Sequence, residues 1–300
     1  MLEKPLPGLS EAARKSGGII PQRQANLFAL RLRVPAGGIS AAQLATVAGV
    51  ASRYGRGAVH LTLRQGIEIQ YVPFADIPAA LAELADVGLE LGACGRRVRV
   101  VTACPGAAVC PNGLGDAQAL AKRLDDRYFG LSDLPHKVKI AVAGCPSACA
   151  KPQENDIGLM AVAAPVLTES EEAGCIGCGL CARKCPAQAI ALVQGKPVID
   201  RARCLHDGKC INVCPTGALR AERTGWQMYV GGKCGKEPRI GVPLVAFLSD
   251  AEAEDLVGRV IAAYRQLGKP GERLGTLVER LGLQALAREV LGTGCAASRT

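Results

Sequence analysis

The sequence predicts an α+β fold in which a ferredoxin-like (split βαβ) half-domain precedes a cysteine-bearing α/β region that is interrupted by a small inserted unit. Three observations predict this arrangement. Residues 26–92 follow the order strand, helix, strand, strand, helix, which is the split βαβ order. Residues 174–220 repeat a four-cysteine segment, and α/β character resumes after them. An apolar content of 49% is enough for a packed core.

The half-domain follows residues 1–25, which predict an irregular N-terminal arm because they are rich in proline and glycine and lack periodicity. Residues 26–34 predict a strand, because apolar and basic side chains alternate along it. Ser40 is placed to cap a helix that ends near Tyr54.

The rest of the half-domain is a hairpin and a second helix. The strand pair, 58–63 and 67–72, turns around Arg64, and Asp76 precedes a helix over 77–87. A further strand is expected at 89–91 or 98–102.

The remaining chain also alternates between strands and helices. It predicts a helix over 112–127, strands over 137–143 and 156–163, a linker over 165–170, strands over 226–230 and 243–248, and helices over 251–267 and 273–291, the last broken at Gly282.

Composition restricts the function. The chain has 36 basic and 27 acidic residues, a net charge of +9, which predicts either a nucleic-acid or membrane surface or an internal anion site. With 3% aromatic residues, a surface that stacks single-stranded nucleic acid is disfavoured, so we expect no nucleic-acid partner. The apolar run 157–167 is too short to span a bilayer, so we expect no membrane insertion.

The 14 cysteines point to metal chemistry in a reducing compartment. The N-terminus shows no apolar export signal, so we expect a cytoplasmic protein whose thiols bind metal rather than form disulfides. Two pairs, Cys104 with Cys110 and Cys145 with Cys149, lie among glycine, proline and small residues. Such pairs can converge on one four-thiolate site, and their wide spacing favours an iron–sulfur cluster over zinc, which stays possible.

The repeat in residues 174–220 is typical of a bacterial ferredoxin with two clusters. In that pattern three cysteines of one copy and the last cysteine of the other hold each cluster, whereas zinc or disulfides are the alternatives. One predicted ligand set is Cys175, Cys178, Cys181 and Cys214. The other is Cys185, Cys204, Cys210 and Asp207, the last standing where a cysteine is expected. Asp207 is expected either to bind iron through oxygen or to leave a [3Fe-4S] cluster, and His206 is expected to face solvent.

Three predicted strands carry basic residues two positions apart, with apolar residues on the opposite face. The pairs are Arg31 with Arg33, Arg97 with Arg99, and Lys137 with Lys139. One such strand is typical of a half-exposed sheet, but three of them favour convergence on an anion. Arg64 is a fourth candidate.

These motifs together resemble the sirohaem-containing sulfite and nitrite reductases, most closely the small type found as the catalytic subunit of anaerobic sulfite reductase. The resemblance covers about residues 26–282. The stretches that carry it are Leu30–Gly38, Leu61–Gln65, the two cysteine pairs, Pro135–Lys139 and the four-cysteine repeat. It implies a fold with a ferredoxin-like half-domain, a sirohaem and [4Fe-4S] α/β domain, and an inserted dicluster bacterial-ferredoxin domain. The domain bounds would be 26–92 for the first, 93–165 with 223–300 for the second, and 166–222 for the third.

The resemblance also implies roles for single residues. Cys104, Cys110, Cys145 and Cys149 would hold a [4Fe-4S] cluster, with Cys149 also bridging to the sirohaem iron. The substrate would contact Arg31, Arg99, Lys137 and Lys139. We assign Arg33, Arg64 and Arg97 to the sirohaem carboxylates, and we take Cys94, Cys234 and Cys295 as buried or incidental thiols.

The implied activity is six-electron reduction of sulfite to sulfide, with electrons arriving from a donor protein or subunit through the inserted clusters. Nitrite is the alternative substrate, because it is also a small anion reduced by six electrons. Two further functions stay open, an electron-transfer protein without sirohaem and a relative that oxidises a corrin ring. Larger relatives contain two catalytic half-modules where this chain has one, so we expect a homodimer or higher homo-oligomer, or a pair with a related subunit.

Overall fold

A computed structural model of the chain describes residues 17–168 and 174–292. The chain divides into two compact units. The first comprises Met1–Thr102, Ala121–Ile140 and Tyr264–Leu274, and the second comprises Ala103–Leu120, Ala141–Ala263 and Gly275–Thr300. Among the described helices, none is long and apolar enough to cross a membrane.

The first unit contains an antiparallel four-stranded sheet. Its strands are β1 (Ile19–Pro21), β2 (Leu27–Arg31), β3 (Val59–Leu61) and β4 (Ile67–Pro73), in the order β1-β2-β4-β3. Helices α1 (Ala41–Tyr54) and α2 (Ile77–Asp86) contribute to the same core, where Leu30, Ile69, Val50 and Ile77 are fully buried. The predicted element order and the Ser40 cap are confirmed. Ser40 Oγ accepts the Gln43 N–H at 3.1 Å, and Gln43 Oε1 accepts the Ser40 N–H at 3.0 Å.

The edge of this sheet differs from the prediction. The expected strand at 89–91 is only a bridge between Leu91 and Leu32, and β1 pairs with β2 where we predicted an irregular arm. Close backbone approach explains both, because a side chain on Gly18 would lie 2.7 Å from the Gly92 carbonyl oxygen. Strand β2 also ends at Arg31 rather than at residue 34, and Asp76 precedes α2 without a side-chain capping bond.

The second unit is built on a five-stranded sheet of order β11-β10-β7-β6-β5. The strands are β5 (Thr102–Ala103), β6 (Ile140–Ala143), β7 (Ile157–Leu167), β10 (Leu219–Val230) and β11 (Val242–Leu248). A separate hairpin consists of β8 (Ile190–Val193) and β9 (Lys196–Ile199). The remaining α-helices of the described chain are α3 (Ala117–Tyr128), α4 (Leu180–Lys184), α5 (Lys209–Asn212), α6 (Asp250–Leu267), α7 (Leu274–Leu281) and α8 (Leu283–Leu291). Most of α3 and the end of α6 belong to the first unit.

Strands β7 and β10 are longer than predicted. They pair antiparallel from Ile157 opposite Val230 to Leu167 opposite Leu219. The predicted linker at 165–170 is therefore strand as far as Leu167, and residues 169–173 lie outside the described part. Because Leu167 and Leu219 are paired, the chain leaves the sheet before the cysteine repeat and rejoins it after the repeat at the same point.

Two other elements begin later in the sequence than predicted. Helix α3 begins at Ala117, not at residue 112, because residues 110–116 form tight turns in which Ala107 N–H bonds to Gly115 O at 2.9 Å. Asp116 then caps the helix, accepting the Ala119 N–H at 3.0 Å. The predicted strand over 137–143 is regular only from Ile140.

Candidate functional site

A basic cleft of about 1,080 Å³ lies within the first unit. Its lining includes five cationic side chains: Arg31, Arg64, Arg99, Lys137 and Lys139. The structure thus brings together all four predicted substrate residues and one predicted sirohaem residue. The lining also includes His60, Thr62 and Glu68, which the sequence analysis did not single out. Charge at this density in one cleft favours a small anionic ligand.

A backbone pairing explains why these side chains converge. Val98 and Val138 form a parallel bridge, in which Arg99 N–H bonds to Val138 O at 2.9 Å and Val138 N–H bonds to Arg97 O at 3.1 Å. Because side chains alternate along extended chains, burying both valines turns Arg99, Lys137 and Lys139 to the other side.

Arg99 carries a donor that is not satisfied. Its Nη1 donates to Ala93 O at 2.9 Å and its Nη2 to Gly95 O at 3.1 Å. Its Nε is buried and has no hydrogen-bond partner among the described residues. Burial lowers the pKa of Arg99, and the neighbouring charges of Arg31 and Arg273 lower it further. A buried N–H without a partner is costly, so an anion or water at this point would be stabilised.

Arg31 and Arg64 are tied to the protein while lining the cleft. Arg31 Nε donates to Glu68 Oε1 at 2.7 Å, and its Nη1 donates to Cys94 Sγ at 3.0 Å. Arg64 Nη2 donates to the backbone carbonyl of Val100 at 2.9 Å. These bonds fix the two guanidinium groups at the wall of the cleft.

Two predicted cofactor residues, Arg33 and Arg97, do not line the cleft. Arg33 Nε donates to the fully buried Asp125 at 2.8 Å, its Nη1 pairs with Glu90 at 2.9 Å, and its guanidinium stacks on Phe129. Burial lowers the pKa of Arg33, but the bonds to these two carboxylates outweigh it and the net pKa is raised. These contacts tie Arg33 to protein groups, so its position is structural rather than that of a cofactor ligand.

The first two cysteine pairs lie in the second unit. Cys145 is buried, Cys104 and Cys110 are partly exposed, and Cys149 is exposed. Cys104 Sγ accepts the backbone N–H of Gly144 at 3.1 Å, which joins the two cysteine-bearing loops.

Glycines let the two loops meet. A side chain on Gly144 would lie 2.7 Å from Gly106 Cα, and one on Gly113 would lie 2.5 Å from Ala107. Gly106 also has a positive φ of 65°, which favours glycine. This glycine cradle, formed by Gly106, Gly113 and Gly144, brings the Cys104–Cys110 loop and the Cys145–Cys149 loop together.

The cysteine repeat surrounds two separate cavities in the second unit. The first, of about 350 Å³, is lined by Cys175, Cys178, Cys181 and Cys214. The second, of about 320 Å³, is lined by Cys185, Cys204, Asp207 and Cys210. These groups are the two predicted ligand sets, including the interleaved last cysteine of each copy.

The thiols of the repeat differ in their electrostatics. Burial beside Cys204, Asp207 and Cys185 raises the pKa of Cys210 to about 12. At Cys214 burial acts in the same direction, but N–H and hydroxyl donors from Leu219 and Thr216 outweigh it and lower the pKa. A bound metal would reverse the first effect, because its positive charge stabilises thiolate ligands.

A larger cavity of about 1,690 Å³ was not predicted. It extends from Pro146, next to Cys145, to Cys204 in the repeat, and includes Arg201 and Arg223. His206 lines it and packs edge-on against Phe247 at 5.3 Å, so this histidine is half-buried rather than solvent-facing as we predicted. Burial, then the charges of Arg201 and Arg223, lower its pKa. Of the thiols taken as buried or incidental, Cys94 is partly exposed, Cys234 is exposed, and Cys295 lies outside the described residues.

Comparison with family models agrees with this geometry. Residues 94–294 match the nitrite and sulphite reductase 4Fe-4S domain, and residues 20–87 match the nitrite/sulfite reductase ferredoxin-like half domain. The chain belongs to the nitrite and sulphite reductase family. The predicted family and half-domain are thereby confirmed.

Named relatives agree with the family. The chain is 33% identical over 276 residues to a coenzyme F420-dependent sulfite reductase of Methanocaldococcus jannaschii, covering 91% of this chain and 44% of that one. It therefore spans less than half the length of that relative. It is 30% identical over 285 residues to one subunit of the anaerobic sulfite reductase of Salmonella typhimurium, covering 87% and 82%. The crystal structure of dissimilatory sulfite reductase I shares the fold, with a TM-score of 0.73 at 22% identity over 91% of this chain and 72% of the other.

The family implies a [4Fe-4S] cluster and sirohaem, and the residues present fit both groups. The four cysteines lie on two loops that meet at the glycine cradle, and four thiols of which one is exposed are a donor set suited to a cluster with an open side. The unpaired Nε of Arg99 and the cations of the basic cleft suit a polycarboxylate macrocycle and its anionic ligand.

Proposed function

We propose that this protein catalyses the sirohaem-dependent six-electron reduction of sulfite to sulfide. The observation that carries the proposal is the basic cleft, where Arg31, Arg99, Lys137 and Lys139 converge and a buried Arg99 N–H lacks a partner among the described residues. Sulfite is small, anionic and rich in oxygen acceptors, so it matches this set of donors.

The cleft residues divide into two roles. Arginine stays protonated and presents a planar fork of donors, so Arg31 and Arg99 would hold sulfite oxygens. Lysine can release a proton, so Lys137 and Lys139 would protonate oxygens as they leave as water. Fixed cations in a site shielded from water stabilise developing negative charge without reorganising.

The cofactor roles proposed here follow the family resemblance. Cys104, Cys110, Cys145 and Cys149 would hold the [4Fe-4S] cluster, and Cys149, the exposed thiol, would also be the ligand to sirohaem. Arg64 and Arg97 remain our choices for sirohaem carboxylates. When bound, sirohaem and the cluster supply the redox chemistry of S–O bond cleavage.

We further propose that residues 166–222 form an inserted two-cluster ferredoxin domain between the two parts of the catalytic domain, 93–165 and 223–300. The paired ends of β7 and β10 and the two cysteine-lined cavities support it. Two clusters at the end of a sheet would receive electrons from a donor protein. Asp207 would be an oxygen ligand to the second cluster, or that cluster would be a [3Fe-4S] cluster.

Nitrite is the second candidate substrate, because the matched family includes nitrite reductases and the cleft would accept either anion. For the assembly we propose a homodimer or a pair with a related subunit, which would bring two catalytic half-modules together.

The deciding experiment is an anaerobic absorption spectrum of the protein, produced with sirohaem synthesis supported, with iron and acid-labile sulfide counted. Turnover of sulfite and nitrite is then compared under a reduced viologen dye. We expect sirohaem bands, iron for three clusters, and a kcat/KM for sulfite above that for nitrite. Cluster absorption without a tetrapyrrole would overturn the proposal in favour of an electron carrier.

A further inference from the structure

Two residues without an assigned role, Glu68 and Cys94, engage every nitrogen of the Arg31 guanidinium. Glu68 Oε1 accepts from Nε at 2.7 Å and lies 2.6 Å from Nη2, while Cys94 Sγ accepts from Nη1 at 3.0 Å. These contacts hold the Arg31 guanidinium in one orientation, although 35% of the side chain remains exposed.

The strand register places Glu68 for this contact. Glu68 lies directly opposite Arg31 in the β2–β4 pair, and only 8% of it is exposed. A buried carboxylate costs free energy unless it is paired, so Glu68 depends on Arg31 as much as Arg31 depends on Glu68. A carboxylate in the wall of the cleft lowers its positive potential and so its attraction for an anion. The benefit of holding Arg31 in place must outweigh that loss.

Cys94 lies beside both arginines. Its sulfur accepts from Arg31 Nη1, and it is close enough to Arg99 to interact with that guanidinium electrostatically. Two guanidinium groups at one cleft repel each other, and a polarizable sulfur beside them reduces the repulsion. Packing holds the thiol in place, because a side chain on Gly17 would lie 3.0 Å from Cys94 Cβ.

We propose that Glu68 and Cys94 are positioning residues that fix Arg31 beside Arg99 for a small oxyanion in the basic cleft. This inference rests on the proposed function, in which those arginines hold sulfite. Binding a ligand with so few atoms depends on donor placement, and a shift of about 1 Å can cost about 100-fold in rate.

The first test uses holoenzyme variants Cys94→Ala, Cys94→Ser and Glu68→Gln, with Cys234→Ala as the matched control at an exposed thiol. We expect Cys94→Ala and Glu68→Gln to lower kcat/KM for sulfite about 10-fold, mostly through KM, with absorption spectrum and iron content unchanged. Cys94→Ser keeps an acceptor and should recover to within about 3-fold of the parent. Unchanged kcat/KM in Cys94→Ala and Glu68→Gln, or losses that follow iron content in every variant, would overturn the proposal.

The second test does not depend on turnover, so it separates this inference from the proposed function. The holoprotein is alkylated with iodoacetate and with neutral iodoacetamide, and labelling of Cys94 and Cys234 is read by peptide mass spectrometry. Flanking arginines should favour the anionic reagent at Cys94 by about 3-fold or more relative to Cys234, and Arg99→Gln should reduce that preference. Equal preference at both thiols would overturn the inference, whereas preference without sulfite turnover would overturn only the sulfite assignment.

Discussion

Replacing Asp125 tests whether Arg33 belongs to the framework rather than to the cofactor. The fully buried Asp125 carboxylate accepts from Arg33 Nε at 2.8 Å and from the Val101 backbone N–H at 2.8 Å. Asp125→Ala leaves that N–H without a partner, which costs about 1–3 kcal/mol, and removes a charge-assisted bond worth about 1.5–3 kcal/mol. Arg33 keeps Glu90 and Asp126 as partners, so we expect a net loss of about 3–5 kcal/mol.

Anaerobic thermal unfolding of the holoprotein measures this loss. At about 2–4 °C per kcal/mol, Asp125→Ala should lower the apparent Tm by about 10 °C. Asp125→Asn retains an acceptor for Val101 and should lose about half as much. Arg33→Gln should also destabilise the protein while sirohaem absorbance per chain stays unchanged. Equal Tm values for the two Asp125 variants, or loss of sirohaem from Arg33→Gln without destabilisation, would refute the reasoning.

Three further predictions concern the cleft, the insertion and a helix cap. Lys139→Met should retain sirohaem absorption and cut sulfite turnover about 100-fold, the usual scale for losing an acid–base group. The control Lys122→Met, on an exposed helix face, should change neither. Full turnover in Lys139→Met would show that Lys139 does not deliver protons. Asp207→Cys completes a four-thiolate set, so it should raise bound iron per chain and simplify the spin-resonance signal of the second cluster. Asp207→Ala should have the opposite effects. The same iron content in both variants would mean that this side chain is not a ligand. Hydrogen bonds from Ser249 lower the pKa of Glu252. The stability that Glu252 contributes as a cap is therefore present above about pH 4.5 and is lost as pH falls through the folded-state pKa. Glu252→Gln should weaken the dependence of Tm on acid pH, and an unchanged dependence would contradict this.

The sequence predicted the elements and ligand sets that depend on local pattern. Ser40 with Gln43 is a local capping signal, and the cysteine spacing alone divided the repeat into the two groups that line separate cavities. What it missed depends on partners distant in sequence. Alternation placed Arg33 on the basic face with Arg31 but gave no sign that Asp125, 92 residues later, lies there to pair with it. Glu68 and Cys94 gave no signal for the same reason, since a single acid in a strand and a single cysteine have many ordinary explanations.

The glycine cradle of the first two cysteine pairs determines how this region can tolerate substitution. Gly106, Gly113 and Gly144 are held within van der Waals distance of backbone, so the separation of the loops is fixed by main-chain packing. Ala108 and Val109 between the thiols are exposed, and Val109 is 78% exposed, so they can change without strain. We therefore expect substitutions to be tolerated at Ala108 and Val109 and not at the neighbouring glycines. Damage at a glycine would show in cofactor occupancy before it shows in yield of folded protein, because the thiols would separate while the sheet behind them stays intact.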